Sequence, residues 1–300
     1  MEGGNRLIRQ KNFILQCILF IVPAFAVYTL IRIAPLLMSF GYSFTNWDGY
    51  APAFQFVGLK NYIAIFQDDA ILQSFRNTFV FAFFNTLLIT LIAIPLALVL
   101  NSALKSTNLL RAVFFFPSVP SVLIIGYIWL FILDPTRNGV LNKLLFGIGL
   151  QKVDWLSDYK LAMVSLIMVS VWRLAGWHSC IYIANLQGIS KDYYEAANID
   201  GANRWQQFRY ITFPLLAPAM TISVMLTTID SLKVFELPFA LTKGGPGNAT
   251  TLLTQIIIER GINDKLVGRS SAMAVLFILI IFVIAGIQHI IMRRREERME

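Results

Sequence analysis

Charge is what this chain has least of. Only 14% of its 300 residues are Asp, Glu, Lys or Arg, while 57% are hydrophobic; an ordinary soluble domain carries about 25% charged residues. That deficit, with apolar runs from near one terminus to near the other, excludes a water-soluble globule and a separate soluble catalytic domain. Cysteine is scarce as well: Cys17 and Cys180 both fall inside apolar runs. They offer no disulfide framework and read as small buried hydrophobes. The two histidines, His178 and His289, have no cysteine pair near them and so no metal-ligand spacing. No Gly-x-x-x-x-Gly-Lys-Ser/Thr loop is present to cradle a nucleotide, and no His-Glu-x-x-His or facing aspartates to make an intramembrane hydrolase. The net charge of +8 comes from scattered or terminal residues without interleaved aromatics, which argues against nucleic acid as a partner.

What is present is a series of apolar stretches of the length that crosses a bilayer, about 20 residues each. Six are expected, at about 13–34, 78–100, 112–133, 161–184, 215–235 and 271–292. The first follows Arg6, Arg9 and Lys11 in the manner of a signal peptide. It runs past Pro23 to Ala34 without a small-residue cleavage site, so it is expected to stay as a span. The expected fold is therefore an all-α integral membrane protein, one transmembrane domain over 1–300 with six helices and both termini on one side. Assigning that side to the cytoplasm makes Lys and Arg about twofold denser in the inside segments. Arg293, Arg294, Arg295 and Arg298 close the last span as a stop signal would. The outside loops then run over about 44–77, 134–160 and 236–270, the inside loops over 101–111 and 185–214. Pro23, Pro35, Pro95, Pro117 and Pro120 lie in or near spans, where each removes a backbone donor.

The longer inside loop is unusually polar: Tyr194-Glu195-Ala196-Ala197-Asn198-Ile199-Asp200-Gly201-Ala202, then Phe213-Pro214. Ser190 can cap a helix beginning near Lys191 and persisting to about Ile199, and Asp200-Gly201 should break it. A second helix from about Asn203 is expected to end at Ile211, before Pro214. Ala196 and Ala197 would let a partner surface approach closely, and Glu195 offers a carboxylate to a basic group. Local chemistry alone is shared equally between such a docking element and an ordinary amphipathic loop.

Ionisable groups inside spans are expensive and mark candidate solute paths. Arg173 and His178 lie in the fourth span, Asp230 and Lys233 in the outer half of the fifth. A local Asp230–Lys233 ion pair competes with a pair between Arg173 and Asp230, and Arg32 should snorkel to the surface. His178 reads first as a hydrogen-bonded bundle residue. Trp172, Trp177 and Tyr182 with Arg173, and Lys233, Phe235 and Glu236, could form a wall of aromatic faces and hydrogen-bonding groups. The same aromatics could equally pack against lipid.

Glu195-Ala196-Ala197, Asp200-Gly201-Ala202, Ile211 and Pro214 together resemble the EAA loop of binding-protein-dependent ABC importer permeases, in the sugar branch of the maltose and glycerol-3-phosphate type. The resemblance continues through Asn77-Thr78, Arg111 to Pro117, Gly139-Val140-Leu141-Asn142, Trp172 and Gly176. It ends in the turn Leu241 to Gly247 with Thr250. The entry to the last span departs from it, reading Gly268-Arg269-Ser270-Ser271-Ala272. The resemblance implies a type I importer permease, a transporter subunit without enzymatic activity or cofactor of its own, in a bacterial or archaeal plasma membrane. It implies a second, homologous permease in a heterodimer, two cytoplasmic ATPase subunits that bind ATP and Mg, and an extracytoplasmic solute-binding protein. Glu195, Ala196, Ala197, Asp200, Gly201 and Pro214 would then couple to the ATPase, and Gly244, Gly245, Pro246 and Gly247 would face the binding protein. The implied cargo is a carbohydrate, with a polyol phosphate such as glycerol-3-phosphate as the alternative. An ion-coupled secondary transporter would need a membrane-embedded carboxylate, for which Asp230 is the candidate.

Overall fold

A computed structural model describes residues 18–102, 106–136 and 138–297. Arg6, Arg9, Lys11, Cys17, Arg298 and the beginning of the first expected span lie outside the described residues. The described chain is helical, with one isolated bridge between Thr45 and Phe56. Four helices are long and apolar enough to cross a membrane unbroken: α1 (Ile18–Tyr42), α3 (Asp69–Leu100), α7 (Tyr159–Gly188) and α13, whose apolar part is Val267–Arg294. The others are α2 (Lys60–Phe66), α4 (Thr107–Phe115), α5 (Val122–Ile132), α6 (Val140–Gly147), α8 (Asp192–Ile199), α9 (Arg204–Leu215, with a π turn at Phe208–Thr212), α10 (Ala217–Leu232), α11 (Glu236–Leu241) and α12 (Leu253–Ile258). The chain divides into two packed units, one of residues 1–65 and 259–277, the other of 66–258 and 278–300.

Proline decides where the expected spans break. The third is not one helix: α4 with its 3-10 extension to Ser118 meets α5 at 93°, because Pro117 and Pro120 remove two consecutive-turn donors from 116–121. The fifth is bent by 63° between α9 and α10. Here the expectation of a stop before Pro214 fails. The π turn absorbs Pro214, and the helix runs on to Leu215. Pro218, at the start of α10, makes the break instead, since its ring would clash with the carbonyl four residues back. The fifth span also ends sooner than expected. α10 stops at Leu232, and Lys233 caps it. Phe235 and Glu236 therefore belong to the junction with α11, whose Pro238 could not continue the α10 helix.

In the larger unit α3 packs along α7 and α10, and α11 packs on α5. Hydrophobic transfer cannot drive helices together inside lipid, so close contact between small residues must do so. Gly176 of α7 lies against the carbonyl of Phe114 and Gly126 of α5 against Ala240, with no room for a side chain at either glycine. Two buried clusters result. One gathers Phe81, Leu133, Leu166, Leu237 and Leu252. The other, toward the α7–α8 junction, gathers Ala97, Leu100, Tyr182, Leu186 and Leu216. Cys180 does not join them: it is exposed on α7, a surface rather than a buried thiol.

The smaller unit is tied by backbone capture. Asn61 donates its amide to the carbonyls of Ser43 and Thr45, each at 2.8 Å. Gly268 presses on the Thr45 carbonyl and donates to that of Trp47 at 2.9 Å. Arg269 donates to the Ala64 carbonyl. The unusual Gly268-Arg269 entry to the last helix thus has a structural use.

Candidate functional site

The polar loop after α7 forms a helix-turn-helix. Ser190 Oγ accepts the Asp192 amide at 3.2 Å, and α8 begins there. Its end is a Schellman turn: Ala202 N–H donates to Ala197 O at 2.9 Å and Gly201 N–H to Asn198 O at 3.1 Å. Gly201 sits at φ +77 with nothing within 4 Å of a notional β-carbon. Glycine is required there by backbone angle and not by crowding.

Asn198 and Asn203 hold the turn closed. Asn203 N-caps α9 through a reciprocal capping box with Gln206, at 2.9 and 2.7 Å. Gln207 then reaches back to Asn198 Oδ1 at 2.7 Å and to Ala202 O. The Asn-x-x-Gln spacing at Asn203 was the available signal. The Tyr194 hydroxyl also meets Thr212 at 3.0 Å, joining α8 to α9. Ile189, Phe208 and Phe213 pack on the Leu100–Leu216 cluster, and Arg111 donates two bonds, at 3.0 and 2.8 Å, to the last carbonyl of α3, Leu100 O.

On this braced frame the outward side chains are free. Glu195, Ala196 and Asp200 are exposed and Ala197 is half-buried. No hydrogen bond or ion pair among the described residues engages the Glu195 carboxylate. The same loop also exposes Tyr193, Trp205, Tyr210 and Ile199, the last 87% exposed. Pro214 is half-buried inside α9. It shapes the rear of the loop.

The glycine-rich turn at the opposite end of the larger unit is built differently. It is inlaid into the bundle: Asn77 of α3 donates to the carbonyls of Asn248 and Thr251 at 2.8 and 3.0 Å. Thr78 Oγ1 accepts Leu253 N–H, and Thr250 and Thr251 donate to the carbonyls of Gly245 and Gly244. Gly244 is buried with φ +89, wedged against Thr251, whereas Gly245 and Pro246 are half-buried and Gly247 is exposed.

A groove of about 800 Å³ runs between α3 and α7; of the candidate solute-path residues Trp172 lines it, with Arg76 and Lys160 at one end. Asp230 and Lys233 form an exposed ion pair at 3.5 Å at the end of α10, which is the local pairing. Arg173 keeps a buried Nε without a hydrogen-bond partner. Trp172 stacks edge-on with Trp129, Trp177 with His178, and Phe235 lies flat on Phe239. Tyr182 is wholly buried in the cluster nearer α8 and is removed from the expected wall. His178 is a bundle residue, hydrogen-bonded to Ser223 at 2.9 Å and to Thr227 at 3.1 Å.

Long apolar helices, proline-bent pairs and a braced polar loop define a multi-pass membrane protein of the transport-permease class. The chain belongs to the family of binding-protein-dependent transport system inner membrane components, whose family model matches residues 70–297. It is 34% identical over 282 residues to a probable starch degradation products transport permease of Thermoanaerobacterium thermosulfurigenes, covering 94% of this chain and 95% of that one. It is also 34% identical over 236 residues to a trehalose/maltose transport permease of Thermococcus litoralis, covering 79% and 80%. A crystal structure of a bacterial ABC transporter involved in alginate import has a chain of the same fold, with a TM-score of 0.84 at 22% identity over 96% of this chain and 99% of that one.

Proposed function

We propose that this chain is one permease half of an ATP-driven importer for a sugar or oligosaccharide, and that α8 and α9 are its coupling element. The single observation that supports coupling most is the contrast within that loop: a backbone braced by the Schellman turn, the capping box and Gln207 carries an unpaired Glu195 among exposed Ile199, Trp205 and Tyr210. A rigid element of this kind transmits a push. A free carboxylate on a loop that also exposes apolar side chains suits a partner surface with a basic residue in a hydrophobic cleft.

In this reading the loop and both termini face the cytoplasm, where two ATPase subunits bind ATP and Mg and hydrolyse it. A second, homologous permease completes the pore as a heterodimer. A solute-binding protein delivers cargo at the opposite face, beside Gly244, Gly245, Pro246 and Gly247. Arg173, with Glu236 and Asp230, is the polar feature of the path, and Trp172, Trp177, Lys233 and Phe235 flank it. The names of the two similar permeases, for starch products and for trehalose and maltose, support a carbohydrate over a polyol phosphate.

The test is uptake by the complete complex in proteoliposomes with its own binding protein and internal ATP. Malto-oligosaccharides, other oligosaccharides and glycerol-3-phosphate are offered in turn. ATP-dependent accumulation of an oligosaccharide is expected. Accumulation of glycerol-3-phosphate alone, or uptake driven by an ion gradient without ATP, overturns the reading.

A further inference from the structure

The segment between α5 and α7 carries a short helix whose polarity is inverted. In α6 the buried position is an asparagine and the exposed positions are apolar. Asn142 is 1% exposed. Its amide lies 3.1–3.2 Å from the carbonyls of Asp134, Thr136 and Val153. Its Oδ1 accepts from Val153 N–H and from the Trp155 indole. All of the asparagine's capacity goes to pinning α6 inward. The other face carries Val140 and Leu144, with Ile148 just past the helix end, spaced by four as a helix requires; Leu144 is 63% and Ile148 73% exposed.

Where α6 sits is set by chain geometry. α5 ends at Ile132, and the first carbonyl that holds Asn142 belongs to Asp134, two residues beyond. The helix is therefore clamped at the end of a span, where hydrocarbon gives way to headgroups. The surface of α5 leading to that end is itself an exposed apolar stripe, Ile124, Ile128 and Phe131, and α5 and α6 are in contact. The span that leads to α6 and the outward face of α6 thus both expose apolar side chains. Lys143, exposed on the same face, has a stem long enough to lie along the apolar patch with its ammonium among phosphates.

We propose that α6 is an interfacial anchor, lying in the membrane surface at the end of α7 opposite the coupling loop, with phospholipid as its partner. Its apolar residues enter the boundary between acyl chains and headgroups, and Asn142 is the pin that turns them outward. The bilayer thereby fixes the loop leading into α7, whose first turn is capped by Asp158.

The experiment places nitroxide labels on the assembled transporter in nanodiscs of phosphatidylethanolamine and phosphatidylglycerol, with Cys17 and Cys180 replaced by Ala. Labels go at Leu144→Cys and Val140→Cys, and at Lys152→Cys as an aqueous control. Collision with lipid-dissolved oxygen and with a water-soluble nickel chelate is compared. The labels on α6 are expected about 5–10 Å inside the headgroup boundary, and the control in water. Nickel access at α6 equal to that of the control overturns the proposal. Protection from both reagents, which signals a protein partner on this face, overturns it equally. Two labelled positions keep the outcome readable if one variant fails to assemble.

Discussion

The two polar turns of the larger unit, one at each end of the bundle, are built on opposite plans. The glycine-rich turn is inlaid: Gly244, Ala249, Thr250 and Thr251 are buried and its carbonyls are held by Asn77. The loop of α8 and α9 projects, closing its hydrogen bonds mostly within itself and leaving Glu195, Ile199 and Trp205 to the outside. Substitutions in the inlaid turn should therefore be read first as damage to the fold. Those on the projecting loop separate coupling from folding.

The sharpest break of this comparison is Asn77→Leu. It strands the buried carbonyl of Thr251, at about 1–3 kcal/mol for a buried group left unsatisfied, and removes one of two donors from that of Asn248. The expected outcome is a large loss of assembled complex and of its melting temperature, measured by size-exclusion yield and thermal denaturation. Next is Gly201→Val, which forces a branched side chain into a left-handed backbone at about 1–2 kcal/mol. Because open space surrounds the site, the complex should still assemble while uptake falls. Asn203→Ala removes one cap, at about 1 kcal/mol, and should lower proteolytic protection of the loop with little change elsewhere. The smallest effect belongs to Asp158, whose carboxylate is held below its usual range by the amides of Leu161 and then Lys160. A depressed carboxylate contributes above its unfolded pKa of about 3.9 and loses that contribution as pH falls through the lower folded value. The melting difference between the parent and Asp158→Ala should thus be constant from about pH 5 to 8 and shrink under stronger acid.

Hydropathy made the spans legible, because about 20 apolar residues are needed wherever a helix crosses lipid. The breaks were less so: Pro117 and Pro120 act together to turn the third span, and Pro218 rather than Pro214 turns the fifth, since a π turn can absorb one missing donor. The glycine in Asp200-Gly201 announced its own backbone angle. Asn203 was legible only through the capping-box spacing, and nothing local marked Asn198, which Gln207 holds. The bond from Asn77 to Asn248 crosses 171 residues of sequence, and no local pattern anticipates such a contact. Tyr182 was placed among solute-facing aromatics by its span, but burial follows the helix face, and its face is the core.

In the proposed function force enters through Glu195, on a loop whose hydrogen bonds close mostly within itself. The most direct test is the ATPase activity of the purified complete complex carrying Glu195→Ala, with and without loaded binding protein, alongside its melting temperature. Unchanged melting with loss of most of the binding-protein stimulation is the predicted result. Full stimulation with full uptake would contradict it.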